Sequence, residues 1–174
     1  MDDNSSEETP ERNGPINYID LIDRTYQAKG YPQYDWSRNE DAPLTPLRRH
    51  LRQCTVGLLT SGGISYKSAA PFVADAKNDF RLDEIDPYTP SDGFQINDSY
   101  YDTRDGEKDI NVIFPLERLK ELAEAGEIGK IAKRYWSGFM GRIYKRGYVM
   151  QTAAPALVEE LKKDEVDILV LVPA

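Results

Sequence analysis

Two short apolar runs limit what this chain can fold into. Residues 55–60 read TVGLLT and are followed by Ser61, Gly62 and Gly63, and residues 166–173 read VDILVLVP. Runs of this length and composition are typical of strands buried on both faces, which occur mostly in parallel sheets covered by helices. We therefore predict an α/β fold, a three-layer sandwich with a mainly parallel, Rossmann-like or flavodoxin-like sheet, in which the two strands lie side by side.

The composition fits a folded domain with polar appendages. The chain has 174 residues and a formal net charge of -8, from 22 Lys plus Arg against 30 Asp plus Glu. This balance argues against nucleic acid or an anionic membrane as the partner, because both attract clustered Lys and Arg. No apolar run reaches the roughly 18 residues that span a bilayer. The acidic N-terminus does not have the order of a signal peptide, so we expect a cytoplasmic protein.

Three segments are predicted along the chain. Residues 1–14 are acidic and contain no aromatic residue, which favours a disordered tail. Residues 15–46 are predicted to form a short helix followed by an extended aromatic arm that carries Tyr34 and Trp36. The α/β domain is predicted over residues 47–174.

Four segments carry apolar residues three and four positions apart, the spacing of an amphipathic helix. They are residues 16–28, 115–125, 128–135 and 154–163. A further short strand is predicted over residues 93–97. The segment from residue 65 to residue 91 contains three prolines and little periodicity, which favours a long loop. Long loops in compact domains are usually functional or partly disordered.

The exit of the first predicted strand is a candidate binding site. Ligands of open α/β sheets bind at the carboxyl ends of the strands. There Thr60, Ser61, Gly62 and Gly63 would offer hydroxyl and backbone N–H groups to an anion. A tight strand exit that needs glycine explains the same residues, and both interpretations stay open.

A second polar cluster follows the strand predicted at residues 93–97. Paired carboxylates such as Asp98 and Asp102 can share a proton or bind a hard metal ion, and a tyrosine such as Tyr100 can donate to an oxyanion. A solvated loop explains these residues equally well. Together with Asn111 they complete the set of candidate ligand-binding residues, and the catalytic residues stay unknown.

The chain has one cysteine and one histidine, too few for a structural zinc site or an internal disulfide. Cys54 precedes the first strand, so it would lie at the amino end, opposite the predicted site, where a packing role is favoured over a nucleophile. His50 is expected to cap a helix or face solvent. The glycine-rich bend is neither GxGxxG nor a P-loop. We therefore predict no cofactor and no metal.

A series of short motifs occurs in a characteristic order. They lie at residues 44–47, 56–63, 71–72, 101–103, 109–119, 126–129, 139–141, 154–157 and 166–173. The ordered set resembles the glycine/sarcosine/betaine reductase selenoprotein B family, particularly its short single-domain members, and it is also similar to the D-proline reductase subunit.

The resemblance implies an oxidoreductase related to enzymes that cleave an activated carbon–nitrogen bond. In that family a selenocysteine or cysteine attacks the carbon, and a partner subunit supplies electrons. No residue of this chain matches that nucleophile, and we expect the cysteine-bearing turn that follows the last strand of short members to be missing. Asp98 and Tyr100 stand where the family has histidines.

Three hypotheses about function follow. The first is a substrate-binding subunit that takes a small amine or amino acid and works with a partner reductase subunit. The second is a non-catalytic subunit or regulatory binding protein that kept the fold. The third is a metal-dependent hydrolase that uses Asp98 and Asp102.

Overall fold

The computed structural model describes residues 17–33, 40–41, 43 and 45–173. The predicted tail at residues 1–14 lies outside the described residues, and so do the arm aromatics Tyr34 and Trp36.

The chain divides into two units between Thr45 and Pro46. In the first unit, helix α1 (Tyr18–Ala28) begins at Asn17, whose side chain accepts a hydrogen bond from the backbone N–H of Asp20. This cap and the apolar spacing explain the helix, which confirms the one predicted over residues 16–28. The division into a tail, an arm and a domain stays a prediction.

Within the second unit the described residues form seven strands and four α-helices. The strands are β1 (Thr55–Thr60), β2 (Ile64–Tyr66), β3 (Leu82–Ile85), β4 (Phe94–Ile96), β5 (Lys130–Ile131), β6 (Tyr135–Gly138) and β7 (Ile168–Val172). The helices are α2 (Arg104–Lys108), α3 (Leu116–Glu124), α4 (Arg146–Tyr148) and α5 (Ala154–Lys163). A π-helical segment, Val149–Ala153, joins α4 to α5, and short 3-10 turns occupy Leu51–Gln53, Ser91–Gly93 and Ile110–Val112.

Strand β1 is the centre of a mixed, mostly parallel sheet. Strand β7 pairs in parallel with one edge of β1, from Val56 opposite Ile168 to Thr60 opposite Val172. On the other edge β5 pairs in parallel with the start of β1 and β6 with its end. Strand β3 closes the sheet antiparallel to β6. The predicted α/β class, the mainly parallel sheet and the pairing of the two apolar runs are confirmed.

Both faces of β1 are buried, because alternate side chains point to opposite sides of a strand. Val56 and Leu58 pack in one apolar cluster with Leu119 of α3. Leu59 packs in a second cluster with Leu157 of α5. Burying each of these side chains contributes about 2 kcal/mol, so helices on both faces stabilise the strand whose end carries the predicted site.

The helix predicted over residues 128–135 is wrong, because this segment contains β5 and the first residue of β6. Its apolar spacing resembles that of a helix, but tertiary pairing overrides the pattern. A side chain at Gly129 would bring a Cβ within 2.7 Å of the Gln53 backbone, so glycine lets β5 approach β1 closely. The long loop predicted over residues 65–91 is also interrupted, because it contains β3.

The strand predicted at residues 93–97 forms as β4, outside the central sheet. It pairs antiparallel with β2, with Ile64 opposite Ile96. The helices predicted over residues 115–125 and 154–163 form as α3 and α5. In the described part of the chain, no helix has the length and apolar character needed to span a bilayer.

Candidate functional site

The carboxyl end of β1 leads into a closed bend. The Thr60 hydroxyl is fully buried and accepts a hydrogen bond of 3.1 Å from the Gly62 N–H. The Ser61 N–H donates a bond of 3.1 Å to the carbonyl of Val172 in β7. Two of the N–H groups predicted to bind an anion are therefore already engaged, and they fix the shape of the strand exit.

Gly63 attaches this bend to the loop that follows β4. Its carbonyl accepts a hydrogen bond of 2.9 Å from the Asn97 N–H. Its φ is +67°, and a Cβ added there would lie 2.3 Å from the Asn97 carbonyl oxygen. Only glycine adopts this left-handed conformation at so close an approach without strain. The same Cβ would lie 3.2 Å from the Cβ of Asp98, so that residue adjoins the bend.

Tyr101 makes a second link between the loop and the bend. Its hydroxyl donates a hydrogen bond of 2.9 Å to the Gly62 carbonyl. Burial raises the pKa of Tyr101 to about 12, and the nearby carboxylates of Asp98 and Glu107 add to the rise. The hydroxyl therefore stays protonated at neutral pH and acts as a donor.

Asp98 is a half-buried carboxylate beside this link. One of its oxygens accepts a hydrogen bond of 2.7 Å from the Tyr100 N–H. Burial raises the pKa of Asp98, and this hydrogen bond only partly offsets the effect. Among the described residues no cationic side chain forms an ion pair with it. A cationic ligand would supply the missing counter-charge.

Tyr100 joins the loop to two further segments. Its one hydroxyl proton is shared between the carbonyls of Asp75, at 2.7 Å, and Ala76, at 3.0 Å. The Arg142 guanidinium stacks over its ring, 4.9 Å from the ring centre. This contact brings a cationic residue from the segment after β6 to the same group of loops.

Asp102 and Asn111 make local contacts elsewhere. The Arg104 guanidinium binds the exposed carboxylate of Asp102 at 2.8 Å and lowers its pKa to about 2. The Asn111 side chain accepts a hydrogen bond of 3.1 Å from the Glu117 N–H at the start of α3. No described contact joins either residue to the bend. Of the predicted residues, the structure brings together residues 60–63, Asp98 and Tyr100.

Five buried side-chain polar atoms have no hydrogen-bond partner within the described ranges. They are the hydroxyls of Ser65, Tyr135 and Ser137, the indole N–H of Trp136 and the side-chain oxygen of Asn97. The atoms of Ser137 and Asn97 adjoin the bend. Ser137 is the register neighbour of Thr60, and Asn97 is bonded to the bend through its backbone. Because buried polar atoms are nearly always paired, those of Ser137 and Asn97 are candidates for binding a ligand or water.

Backbone strain occurs next to these atoms. Phe139 follows β6 directly and has a φ of +56°, a conformation that bulky residues rarely adopt. Such strain persists only where the surroundings enforce it, and it is common at functional sites. Asn78 and Glu165 have similar positive φ values. The end of β6 is therefore assigned to the candidate site by the pairing of Ser137 with Thr60 rather than by strain alone.

The opposite edge of the sheet is built differently. Cys54 is buried at the amino end of β1, and its thiol lies 3.5 Å from the His50 carbonyl, as expected of a packing cysteine. The His50 side chain caps the following turn by accepting the Arg52 N–H.

A groove of about 800 Å³ also lies at the amino edge, lined by Thr55, Lys133 and Asp164 among others. Its size alone makes it a rival site. Asp164 is already neutralised by ion pairs to Lys133 and Arg134. We favour the carboxyl edge, because the Asp98 carboxylate, which has no ion-pair partner among the described residues, lies there.

Comparison with known families agrees with the motif order. The family model described as glycine/sarcosine/betaine reductase selenoprotein B (GRDB) matches residues 15–174. The chain belongs to this selenoprotein B family. The resemblance inferred from the ordered motifs is thereby confirmed.

Two relatives of this selenoprotein B family member are subunits of reductases. The D-proline reductase subunit gamma of Acetoanaerobium sticklandii is 29% identical over 127 residues, covering 73% of this chain and 51% of the relative. The glycine reductase complex component B subunit gamma of Symbiobacterium thermophilum is 26% identical over 167 residues, covering 91% of this chain and 37% of the relative. The chain thus spans about half or less of the length of these relatives. No solved structure matches it.

Several residues of the candidate site in this selenoprotein B family member are absent from the predicted set. The segment at residues 136–141 is aromatic and glycine-rich and follows a predicted helix, which favours close packing over a substrate wall for Ser137 and Phe139. The glycine and serine after the aromatic pair at residues 135–136 were the available signal for a strand exit. Tyr101 lies between Tyr100 and Asp102 of the predicted cluster and carries the same chemical signal as Tyr100. Within the described ranges no three His, Cys, Asp or Glu side chains form a metal-binding group, so the hydrolase hypothesis has no ligand set there.

Proposed function

We propose that this chain is a substrate-binding component of a reductase complex that acts on the carbon–nitrogen bond of a small amine or amino acid. Family membership and the two relatives named as reductase subunits support a component of such a complex. The observation that carries the choice of ligand is the half-buried carboxylate of Asp98, which lies beside the bend without a cationic partner among the described residues.

In this proposal the chain binds and orients the ligand. Asp98 faces the ammonium group, because a half-buried carboxylate is stabilised by a positive charge within about 4–6 Å. Arg142, held over the Tyr100 ring, is the candidate for the carboxylate of an amino acid. Ser137 and Asn97 supply polar atoms that a bound ligand would satisfy. Tyr101 keeps the bend in position.

Reductive cleavage would also require a nucleophile and a source of electrons. Cys54, the one cysteine of the sequence, is buried at the opposite end of β1. We therefore propose that a partner subunit supplies both. A three-layer, Rossmann-like or flavodoxin-like arrangement and a cytoplasmic location stay predictions alongside this role.

Ligand binding tests the proposal directly. Purified chain is titrated calorimetrically with glycine, sarcosine, glycine betaine and D-proline, and the measurement is repeated on Asp98→Asn. Loss of the charge contact should weaken binding about tenfold, equivalent to about 1.4 kcal/mol. The matched control is Asp102→Asn, which removes an exposed carboxylate that no described contact joins to the bend. Equal affinities of Asp98→Asn and the parent chain would contradict the assignment.

Turnover tests the need for a partner. The chain alone, given glycine betaine and a dithiol, should show no reduction of the ligand. Turnover by the isolated chain that survives Cys54→Ser would refute the requirement for an external nucleophile.

The second hypothesis, a non-catalytic or regulatory subunit, is favoured by the position of Cys54 away from the bend. It predicts ligand binding that is never followed by turnover, even after the partner subunits of a homologous complex are added. The first hypothesis predicts turnover in that mixture.

A further inference from the structure

Two segments beside the candidate site are joined into one surface. Lys77 forms a parallel backbone bridge with Arg142. The Asn78 N–H donates a hydrogen bond of 2.8 Å to the Arg142 carbonyl. The Asn78 side-chain oxygen accepts bonds of 2.8 Å from the N–H groups of both Tyr144 and Lys145. The chain around residue 77 is therefore held against residues 142–145.

This surface is locally basic in an acidic protein. The segments 75–79 and 142–146 together carry Lys77, Arg142, Lys145 and Arg146 against two carboxylates, Asp75 and Asp79. The formal charge of the whole chain is -8. In the part of the chain that the structure describes, Lys77 and Lys145 form no ion pair. Their charges are therefore available to a partner.

Large apolar side chains are exposed among these cations. The exposed fractions are 63% for Tyr144, 46% for Tyr148 and 75% for Met150. The Tyr148 ring packs 4.4 Å from the Phe80 ring, which fixes part of this surface. Tyrosine, methionine and arginine are the residues enriched at protein–protein interfaces. Mixed in this way, they fit a polypeptide better than a simple anion.

The surface also adjoins the candidate site. Arg142 connects the two through its contact with the Tyr100 ring. The exposed Met150 lies in the π-helical segment, a geometry that is often found at functional positions. A partner seated here would lie beside the loops that hold Asp98.

We infer that the basic-aromatic surface, defined by Lys77, Tyr144, Lys145, Arg146, Tyr148 and Met150, docks an acidic face of a partner polypeptide. Charge complementarity selects the partner. The overall negative charge of the chain repels extended polyanions such as nucleic acid or an anionic membrane, whereas a local acidic patch faces only the local cations. The inference rests on the proposed role as one component of a complex.

Fluorescence anisotropy tests the inference on the full chain. The probe is a labelled twelve-residue peptide of Glu and Asp with two Trp residues. Replacing both lysines, Lys77→Glu with Lys145→Glu, should weaken peptide binding about tenfold or more, because two attractive contacts become repulsive. The matched control, Lys130→Glu with Lys163→Glu, makes the same charge change in the amino-edge groove and should alter affinity less than about twofold.

A second variant tests the apolar part of the surface. Tyr144→Ala with Met150→Ala should weaken the peptide about fivefold at high salt, where long-range charge effects are screened. If Lys130→Glu with Lys163→Glu weakened peptide binding as much as Lys77→Glu with Lys145→Glu, that result would overturn the inference. So would tighter binding to a single-stranded oligonucleotide or to phosphatidylserine vesicles than to the peptide.

Titration with sarcosine separates this inference from the proposed function. The lysine variants should lose the peptide and keep the affinity for sarcosine of the parent chain. If the chain binds the peptide but none of the four amines, the result supports the docking surface and refutes the proposed ligand site.

Discussion

The hydroxyl of Tyr101 donates a hydrogen bond of 2.9 Å to the carbonyl of Gly62, across 39 residues of sequence. Tyr101→Phe deletes only this bond. We expect it to lower the free energy of unfolding by about 1 kcal/mol and to weaken ligand binding, because the bend loses a tether. Urea denaturation measures the first effect. Tyr88→Phe, at a ring that is 70% exposed, is the control and should change stability little.

The approach of Gly63 to Asn97 gives a second prediction. Gly63→Ala places a Cβ at a φ of +67° and 2.3 Å from the Asn97 carbonyl. The free energy of unfolding should fall by about 2 kcal/mol or more, through strain and displacement of the loop. Gly147→Ala is the control, since a Cβ there meets nothing within 4 Å. A Gly63→Ala chain as stable as the control would show that the two segments do not pack as described.

Asp98 should make stability depend on pH. Its folded-state pKa is raised by burial, so its contribution to stability is present below the unfolded value of about 3.9 and is lost as pH rises through the folded value. Asp98→Asn does not titrate. The variant should therefore melt at a higher temperature than the parent chain at pH 7, and the difference should vanish below about pH 4.

Thermal unfolding of the parent chain and of Asp98→Asn at pH 3.5 and pH 7 checks this pH dependence. Asp102→Asn is the comparison, because the pKa of Asp102 is lowered to about 2 by Arg104. The two replacements should have opposite pH trends. Parallel trends would mean that Asp98 is not desolvated.

The ion pair between Asp164 and Arg134 gives the opposite pH trend to Asp98. Burial works against the charged carboxylate, but hydrogen bonds from Arg134 and Lys133 outweigh it and lower the pKa of Asp164. Its stabilisation is therefore present above the unfolded value of about 3.9 and lost as pH falls through the lower folded value.

Asp164→Asn should lower the free energy of unfolding at pH 7 by about 2 kcal/mol, because Arg134 loses charged hydrogen bonds to its most buried partner and keeps only Glu84 and Glu160. Glu121→Gln, which removes the exposed partner of Arg118, is the control and should cost less than about 1 kcal/mol. Urea unfolding at pH 7 compares the two. Similar costs would show that Asp164 acts as an ordinary surface carboxylate.

The elements that the sequence predicts are those with strong local signals. Strands β1 and β7 carry uninterrupted apolar runs, and α3 and α5 show clear spacing with suitable ends, so their patterns agree with their final environments. Strand β3 begins LDE, and its pairing with β6 cannot be inferred from its own composition. Segment 128–135 has helical spacing, but residues 130–131 and 135 belong to strands that pair with β1. Gly129 permits the close approach of β5 to β1.

The residues of the candidate site also differ in whether local sequence patterns reveal them. Thr60 and Gly63 were predictable because a strand exit has local markers. Asp98 was predictable as a polar residue after a strand, whereas its missing counter-charge depends on packing. Ser137 is assigned to the candidate site through its register with Thr60, which no local pattern encodes.

Chemical-shift mapping of the full, isotope-labelled chain with sarcosine tests most directly whether the ligand binds at the carboxyl edge. We predict that the amide signals of Gly62, Gly63 and Ser137 and those of residues 97–101 move, while those of residues 129–133 in the amino-edge groove stay in place. Movement confined to residues 129–133, with the bend unaffected, would contradict the account.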